Sequence, residues 1–329
     1  MQVYGHENIP KDSPILFVAN HRNGLIDPIL IATAPLQVLH FLTRASAFKN
    51  PIADFLLRSI NMLPVYRIRD GKDSIAKNQE IFEACYDIFA KRESVLIFPE
   101  GNHGYPRRVR ILSKGFTRIA YGFLDRNPDK ELYIVPIGLN YANILRPFRD
   151  ATLYYGTPFL ANTYYNPKDE NQAIEALKNK VYEDLKKLTT HIENLDQHDT
   201  IEKILKQEGY SFLDPKLTNE RIAVLESLDN LDTYPVQAIK VKSKSILQKF
   251  ISILFIANSL VPILIWLKIK TKVKDIVMLS TARFGTSVGL IPFFYAVQAG
   301  VVAYFWGGWI GLIYLGLSFG LAYMRKFVN

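Results

Sequence analysis

Short runs of apolar residues alternate with stretches of helical spacing along the first 160 residues of the chain. Predicted strands cover residues 15–19, 38–43, 63–67, 94–98, 132–139 and 151–155. Predicted helices cover residues 28–33, 51–60, 74–90 and 113–124. Such alternation indicates an α/β sandwich around a central, mostly parallel or mixed sheet.

The pattern changes twice further along the chain. Residues 166–205 are polar and amphipathic, which is typical of solvated helices packed against a core, and 206–240 read as a mixed connector. From 276 to 324 the one charged residue is Arg283, which indicates a membrane-embedded tail. We therefore predict an α/β domain at 1–165, a helical extension or connector at 166–245 and membrane-embedded helical hairpins at 246–329.

Lysines and aromatic residues predict how the tail is arranged. Residues 250–267 carry no charge but have lysines on both sides, so we predict a shallow hairpin bent near Pro262, with both ends in the cytosol. Residues 276–324 are long enough for two crossings, and the Trp-Gly-Gly-Trp segment at 306–309 is the predicted turn.

Charge and cysteine content limit the function classes. The formal net charge of +9 favours a polyanionic partner. No nucleic-acid-binding motif is present, so an anionic membrane surface is favoured over nucleic acid. Cys85 is the one cysteine, which excludes a disulfide within the chain and any site with several cysteine ligands. The start of the sequence lacks the pattern of a signal peptide, so we expect the α/β domain in the cytosol.

Candidate chemistry follows the first strong strand, in LFVANHRNGLIDPILIA at 17–33. His21 lies just beyond the predicted strand, at the carboxyl end where α/β sheets gather ligands. Asn23 and Gly24 predict a tight turn. Asp27 then has two interpretations. It either caps the helix that begins near Pro28, or it folds back onto one imidazole nitrogen and orients His21 as a base.

Four motifs in order give the chain a resemblance to the phospholipid/glycerol acyltransferase family, which includes lysophosphatidate and glycerol-3-phosphate acyltransferases. They are NHRNGLID at 20–27, NMLPVYR at 61–67, FPEG at 98–101 (with Lys114-Gly115 beyond it) and VPIG at 135–138. Together the four motifs are a stronger signal than any one alone.

Three departures from the family's pattern stand out. Five residues separate His21 from Asp27 where most of the family has four, which is similar to a branch with fungal glycerol-3-phosphate/dihydroxyacetone-phosphate acyltransferases. Asn61 stands where a glycine is usual, and asparagine can also adopt positive φ. Asn-His-Gly at 102–104 replaces a common Thr-Arg-Ser, and the arginines at 107, 108 and 110 offer the missing charge.

The resemblance implies an O-acyltransferase of phospholipid biosynthesis. Such an enzyme moves a fatty acyl group from acyl-CoA or acyl-carrier protein to a hydroxyl of glycerol-3-phosphate or 1-acyl-glycerol-3-phosphate. His21 would be the base and Asp27 its orienting partner. Binding of the acceptor's phosphate and hydroxyls is assigned to Arg67, Glu100 and Gly101. Further substrate contacts are expected from Asn20, Asn23, Asn102, His103, Lys114 and Pro136.

The resemblance implies no metal and no cofactor beyond the thioester co-substrate. The expected partners are the thioester donor, the glycerophosphate or lysophospholipid acceptor and membrane lipids, with the catalytic domain on the cytosolic face (of the inner membrane, in a bacterium). Two other functions stay open. One is a metallohydrolase using His21, Asp27, Glu100 and His103, although no H-E-x-x-H pair is present. The other is a membrane-anchored lipid-binding scaffold without catalysis.

Overall fold

A computed structural model of the chain describes residues 1–33, 38–66, 74–145, 150–228, 231, 234–235 and 245–325. These residues form two compact units. Unit 1 consists of Met1–Ala142 and Asp150–Val236, and unit 2 of Asn143–Arg149 and Gln237–Asn329. The three-part division expected from the sequence stays a prediction.

Unit 1 is built around one mixed sheet. Its strands are β1 (Gln2–Tyr4), β2 (Ile15–Ala19), β3 (Leu39–Arg44), β4 (Met62–Val65), β5 (Ser94–Ile97), β6 (Tyr133–Tyr141), β7 (Ala151–Tyr155) and β8 (Phe159–Leu160). Within the described ranges their order is β1-β7-β6-β2-β5-β3-β4, with β8 beside β6. The β7 and β8 strands run antiparallel to β6, and the other pairings are parallel. The predicted α/β class with a mostly parallel or mixed sheet is confirmed.

The sheet core centres on β2. All five β2 residues are buried, because β5 and β6 pair with it on its two sides and such strands read as continuous apolar runs. Phe17 lies opposite Leu96 of β5 and Val135 of β6. Since the three strands are parallel, their carboxyl ends lie at one edge of the sheet, which we call the carboxyl edge.

Seven α-helices belong to the described part of unit 1. They are α1 (Ile26–Ala32), α2 (Pro51–Ser59), α3 (Ser74–Ala90), α4 (Gly115–Arg126), α5 (Glu170–Leu188), α6 (His198–Gln207) and α7 (Pro215–Glu226). The connector interpretation of 206–240 missed α7. This helix has a well-formed start, because the Asp214 side chain accepts from Leu217 N and Pro215 is in the first turn.

Unit 2 contains the apolar helices α8 (Ile246–Asn258), α9 (Leu260–Lys270), α10 (Met278–Trp306) and α11 (Gly308–Met324). Within the described residues, α10 is the one helix that is long and apolar enough to cross a membrane. If the bent pair α8–α9 is counted as a single span, the described residues contain two candidate spans. The α10–α11 break at Gly307, with φ 97°, falls in the predicted turn.

The bend between α8 and α9 is 83°. It lies at Ser259, three residues before Pro262, near which the bend was predicted. Pro262 instead occupies the first turn of α9, where its missing N–H breaks no helical hydrogen bond. Each of the two polar residues at the bend makes a side-chain hydrogen bond: Ser259 Oγ lies 2.6 Å from Tyr295 Oη, and Tyr314 Oη donates to Asn258 Oδ1 over 2.6 Å. Such hydrogen bonds hold apolar helices together.

Candidate active site

Three adjacent strands deliver polar side chains to the carboxyl edge. His21 follows β2, Glu100 follows β5 and Tyr141 is the last residue of β6. Because β2 lies between the other two strands in parallel register, residues far apart in sequence meet beside His21. The chemistry of the site therefore depends on the topology of the sheet.

His21 and Asp27 form a hydrogen-bonded dyad. His21 Nδ1 lies 2.8 Å from Asp27 Oδ2, and the Asp27 side chain is fully buried. The same carboxylate oxygen accepts from the backbone N–H of Arg22 over 2.7 Å and of Asn23 over 2.8 Å. Tyr141 donates its hydroxyl to the other oxygen, Oδ1. A carboxylate with this many donors fixes the proton of the imidazole on Nδ1 and leaves Nε2 as the basic nitrogen.

The helix-cap interpretation of Asp27 is wrong. Helix α1 begins at Ile26, and its N-cap residue Leu25 makes no side-chain cap. Asp27 lies inside the first turn, and its carboxylate folds back over the turn that precedes the helix. That turn needs a positive φ at Gly24, which is 38°, and not at Asn23.

The loop after β5 borders the imidazole. The Phe98 ring stacks on His21 with a centroid separation of 4.2 Å, and the His103 ring lies at 5.7 Å. Gly104 donates its backbone N–H to the His21 carbonyl over 3.2 Å. The His21 side chain remains 18% exposed, so it is not sealed inside the core.

Glu100 carries a buried, half-paired carboxyl group. Arg110 contacts its Oε2 through Nε at 2.8 Å and Nη2 at 2.7 Å. Its other oxygen, Oε1, is buried and has no hydrogen-bond partner in the described part of the chain. Burial raises the pKa of Glu100 above its ordinary value, and Arg110 opposes that shift. A buried acceptor of this kind is suited to a hydroxyl donor.

The arginines predicted to compensate for the departed motif have different roles. Arg110 pairs with Glu100. Arg108 pairs with Glu193 over 2.9 Å near the surface. Arg107 is buried, donates to the Tyr141 carbonyl over 2.8 Å, and has its pKa lowered to about 9 by burial. Among these three arginines the structure thus places Arg110 at Glu100.

Two predicted contact residues have structural partners. Asn20 exchanges hydrogen bonds with the backbone of Leu139, accepting over 2.7 Å and donating over 3.1 Å. Pro136 is buried within β6, and its carbonyl accepts from Gly156 N over 2.8 Å. In the same motif a side chain at Gly138 would collide with the Leu188 carbonyl, so the position needs glycine.

The other predicted residues differ in exposure. Gly101, Asn102 and Lys114 are exposed, and Lys114 is the N-cap residue of α4. Asn23 is buried, and its Oδ1 has no hydrogen-bond partner among the residues described. Arg67, assigned to the acceptor phosphate, lies outside the described residues. Asn61 has φ 60°, as expected from its place in the second motif.

Tyr141 and Arg22 were missed as site residues. Both are buried beside Asp27, and burial raises the pKa of Tyr141 well above its ordinary value, so its hydroxyl stays a donor. Arg22 donates its guanidinium to the Tyr105 carbonyl. One signal was available for Tyr141: it ends a buried strand parallel to the one before His21, so both must reach the carboxyl edge.

A second group of titratable residues lies outside this site. His198, Asp199 and Glu202 offer ligand atoms close enough for a metal ion. However, His198 Nε2 already accepts from Arg107 N over 2.9 Å, and Glu202 pairs with Arg107 and Lys206. This group fixes the segment that follows Glu100.

The family model described as "Acyltransferase" matches residues 1–140. Glycerol-3-phosphate O-acyltransferase 1 of Saccharomyces cerevisiae is 26% identical over 114 residues, which cover 33% of this chain and 15% of that protein. A chloroplastic 1-acyl-sn-glycerol-3-phosphate acyltransferase of Brassica napus is 26% identical over 119 residues, which cover 36% of this chain and 33% of that protein. The chain thus spans a third or less of the length of these relatives.

Among solved structures, that of the 1-acyl-sn-glycerophosphate acyltransferase from Thermotoga maritima aligns with a TM-score of 0.38 and 21% identity. The alignment covers 55% of this chain and 70% of that one. The family match contains all four motifs, and both relatives are acyltransferases of glycerophosphate acceptors by name. Over residues 1–140, the predicted resemblance to the glycerol-3-phosphate and lysophosphatidate acyltransferase family is confirmed.

Proposed function

We propose that the chain is an O-acyltransferase of glycerolipid synthesis that transfers a fatty acyl group from a thioester to a glycerophosphate hydroxyl. The donor is acyl-CoA or acyl-carrier protein, and the acceptor is glycerol-3-phosphate or its 1-acyl derivative. One observation carries the proposal: the buried Asp27 carboxylate lies 2.8 Å from His21 Nδ1, while the His21 side chain keeps 18% of its surface exposed. The names of the relatives support the substrate class.

In the proposed reaction, His21 Nε2 removes the proton of the acceptor hydroxyl as its oxygen attacks the thioester carbonyl. The tetrahedral intermediate then collapses, the C–S bond breaks, and the imidazolium returns the proton to the leaving thiolate. Asp27 stabilises the imidazolium in between. General-base catalysis of this kind contributes roughly 10²–10⁴ in rate, and no acyl-enzyme is needed.

Binding of the acceptor is assigned to Glu100 and Arg67. Glu100 Oε1 is a buried acceptor without a hydrogen-bond partner among the described residues and is assigned to a hydroxyl of the substrate, while Arg110 pairs with Oε2 of the same group. Arg67 is proposed to bind the phosphate through two parallel hydrogen bonds, the geometry that a guanidinium provides. His103 lies close enough to His21 to contact the same substrate.

The catalytic unit is proposed to work at the cytosolic face of a membrane. The apolar helix α10 supports a membrane location, and lysines lie at the end of α9, with Lys268 in its last turn and Lys272 just beyond it. A cysteine at Lys272, treated with an impermeant thiol reagent in intact cells, tests the side. We expect the reagent not to label this cysteine in intact cells. Labelling in intact cells would reverse the assignment to the cytosolic face.

The function itself is tested with purified full-length chain, a labelled acyl thioester and each candidate acceptor, with identification of the lipid product. Transfer that survives a chelator supports the proposal. Hydrolysis that a chelator abolishes favours the metallohydrolase, and binding without turnover favours the scaffold. In the first two cases a His21→Ala variant shows whether the activity belongs to this site.

A further inference from the structure

Helix α2 has a row of large apolar side chains, the α2 stripe, that is exposed instead of packed against the core. The stripe consists of Ile52, Phe55 and Leu56, exposed by 71%, 72% and 55%, and Ile60, the C-cap residue that follows the helix, is exposed by 54%. Spacings of three and four residues place the three α2 side chains on one face of the helix. Such a face normally packs against the core, yet no α2 residue is buried. The half-buried positions of α2 are Ala53, Asp54 and Leu57, so the helix is partly covered on another face while the stripe is not.

The segment that carries this α2 stripe is positively charged. Arg44, Lys49 and Arg58 are exposed, and Asp54 is the one acidic residue between positions 44 and 60. Asp54 pairs with Arg58, its Oδ1 lying 2.9 Å from Nε. Exposed apolar side chains within a basic segment match a surface with anionic headgroups above acyl chains.

We propose that the α2 stripe inserts into the headgroup layer of an anionic bilayer, to a depth of about 5–10 Å. The same chain supplies a reason to prefer this occupant. Helix α10 is apolar enough to span a membrane, and a chain anchored in a bilayer meets the lipid surface at a high effective concentration.

Docking of α2 would also affect the proposed function, because of where α2 lies in the fold. This step of the inference rests on the proposed function. Helix α2 follows β3, and β3 runs parallel to β5 and through it to β2. The chain therefore reaches the carboxyl edge, where His21 and Glu100 lie, just before α2 begins. Insertion of the α2 stripe would bring that edge to the surface from which a lipid-borne acceptor or product exchanges.

Fluorescence quenching in vesicles tests the docking without any need for activity. A Phe55→Cys variant of the full chain is labelled with bimane and reconstituted into phosphatidylcholine/phosphatidylglycerol vesicles that contain a nitroxide-labelled lipid. Labelling is selective, because Cys85 is buried and its pKa is raised to about 12. The matched control is Leu217→Cys on α7, an apolar position of the same unit that is 53% exposed.

We expect bimane at position 55 to be quenched and its emission shifted to the blue, with weaker quenching in pure phosphatidylcholine, and bimane at 217 to show neither change. Equal behaviour of the two positions overturns the proposal. A blue shift at 55 without quenching also overturns it, because the stripe would then be covered by protein, such as a second copy of the chain.

An activity measurement links the docking to catalysis. A double variant, Phe55→Ser with Leu56→Ser, is expected to lose transfer when the acceptor is delivered in vesicles and to match the wild type when it is delivered in detergent micelles. An equal loss in both assays would indicate a folding defect and contradict the link. If the proposed function fails, neither assay shows transfer, and the quenching result still decides whether α2 docks.

Discussion

The hydroxyl of Tyr141 offers a sharp test of how the dyad is held. A Tyr141→Phe variant removes one oxygen atom and keeps the buried ring. The lost bond is a donor to a carboxylate, Asp27 Oδ1, in a site that is closed to water. Hydrogen bonds to charged groups contribute about 1.5–3 kcal/mol, and the orphaned oxygen stays buried. A unit of this size loses about 2–4 °C in Tm per kcal/mol, so we expect a decrease of about 3–12 °C.

The effect on catalysis should be smaller than the effect on stability. Asp27 Oδ2 keeps its three donors when Tyr141 is changed, so His21 stays hydrogen-bonded and only the rotation of the carboxylate is freed. We expect kcat/KM to fall by less than about tenfold, or about 1.4 kcal/mol. Thermal unfolding in detergent and a transfer assay on the same preparation measure both quantities.

Tyr155 supplies the matched control. It is buried to the same degree as Tyr141, but its hydroxyl has no hydrogen-bond partner among the described residues. Tyr155→Phe should therefore leave Tm unchanged or raise it. Equal Tm values for the two variants would refute the reasoning. A loss of transfer as complete as that of His21→Ala, with the fold intact, would make Tyr141 a participant in the chemistry.

Three other predictions follow. His21→Ala should abolish transfer with the fold intact, and Asp27→Asn should lower it about 10–100-fold; more than a tenth of wild-type turnover in the alanine variant contradicts the mechanism. Arg67→Ala should raise the acceptor KM and spare the thioester KM, and equal damage to both would remove its phosphate role. His191 accepts from Val109 N over 3.0 Å and burial lowers its pKa below 6.5, so protonation favours unfolding. The free energy of unfolding should therefore fall as the pH drops below 6.5. A His191→Asn variant, whose amide oxygen can replace Nδ1 as the acceptor, should show a flatter pH profile. Identical profiles for the variant and the wild type would count against His191 as the titrating group.

The sequence was sufficient where burial alone decides structure. Strands β2 and β7 and helix α3 were predicted with the limits that they have in the structure. Each is a run whose apolar pattern fits one kind of element. Strand β1 was missed, because its alternate residues are exposed and β7 is its one partner among the described strands. A pairing partner 150 positions away leaves no local signal.

The candidate site likewise has contacts that could be proposed from the sequence and contacts that depend on the tertiary fold. His21 and Asp27 are close in sequence, so their contact could be proposed from a turn and a helix start. Tyr141 lies 114 positions from Asp27, and its contact exists only because β6 pairs with β2. The pairing of Glu100 with Arg110 was within reach, since the arginine was named as a replacement charge. The choice among three nearby arginines required the path of the loop.

The path of this loop is fixed by residues outside the range that the family model matches. Arg107 donates its backbone N–H to His198, and Val109 donates to His191. Both histidines lie beyond residue 140, in the segment between α5 and α7, and both accept as neutral imidazoles. The two histidines thus fix the loop backbone at the residues before and after Arg108. Along this path of the loop, Arg110 lies against Glu100. We infer that the segment between α5 and α7 supplies the acceptors that hold the loop carrying Arg110, which pairs with Glu100 in a chain that lacks Thr-Arg-Ser after Phe-Pro-Glu-Gly.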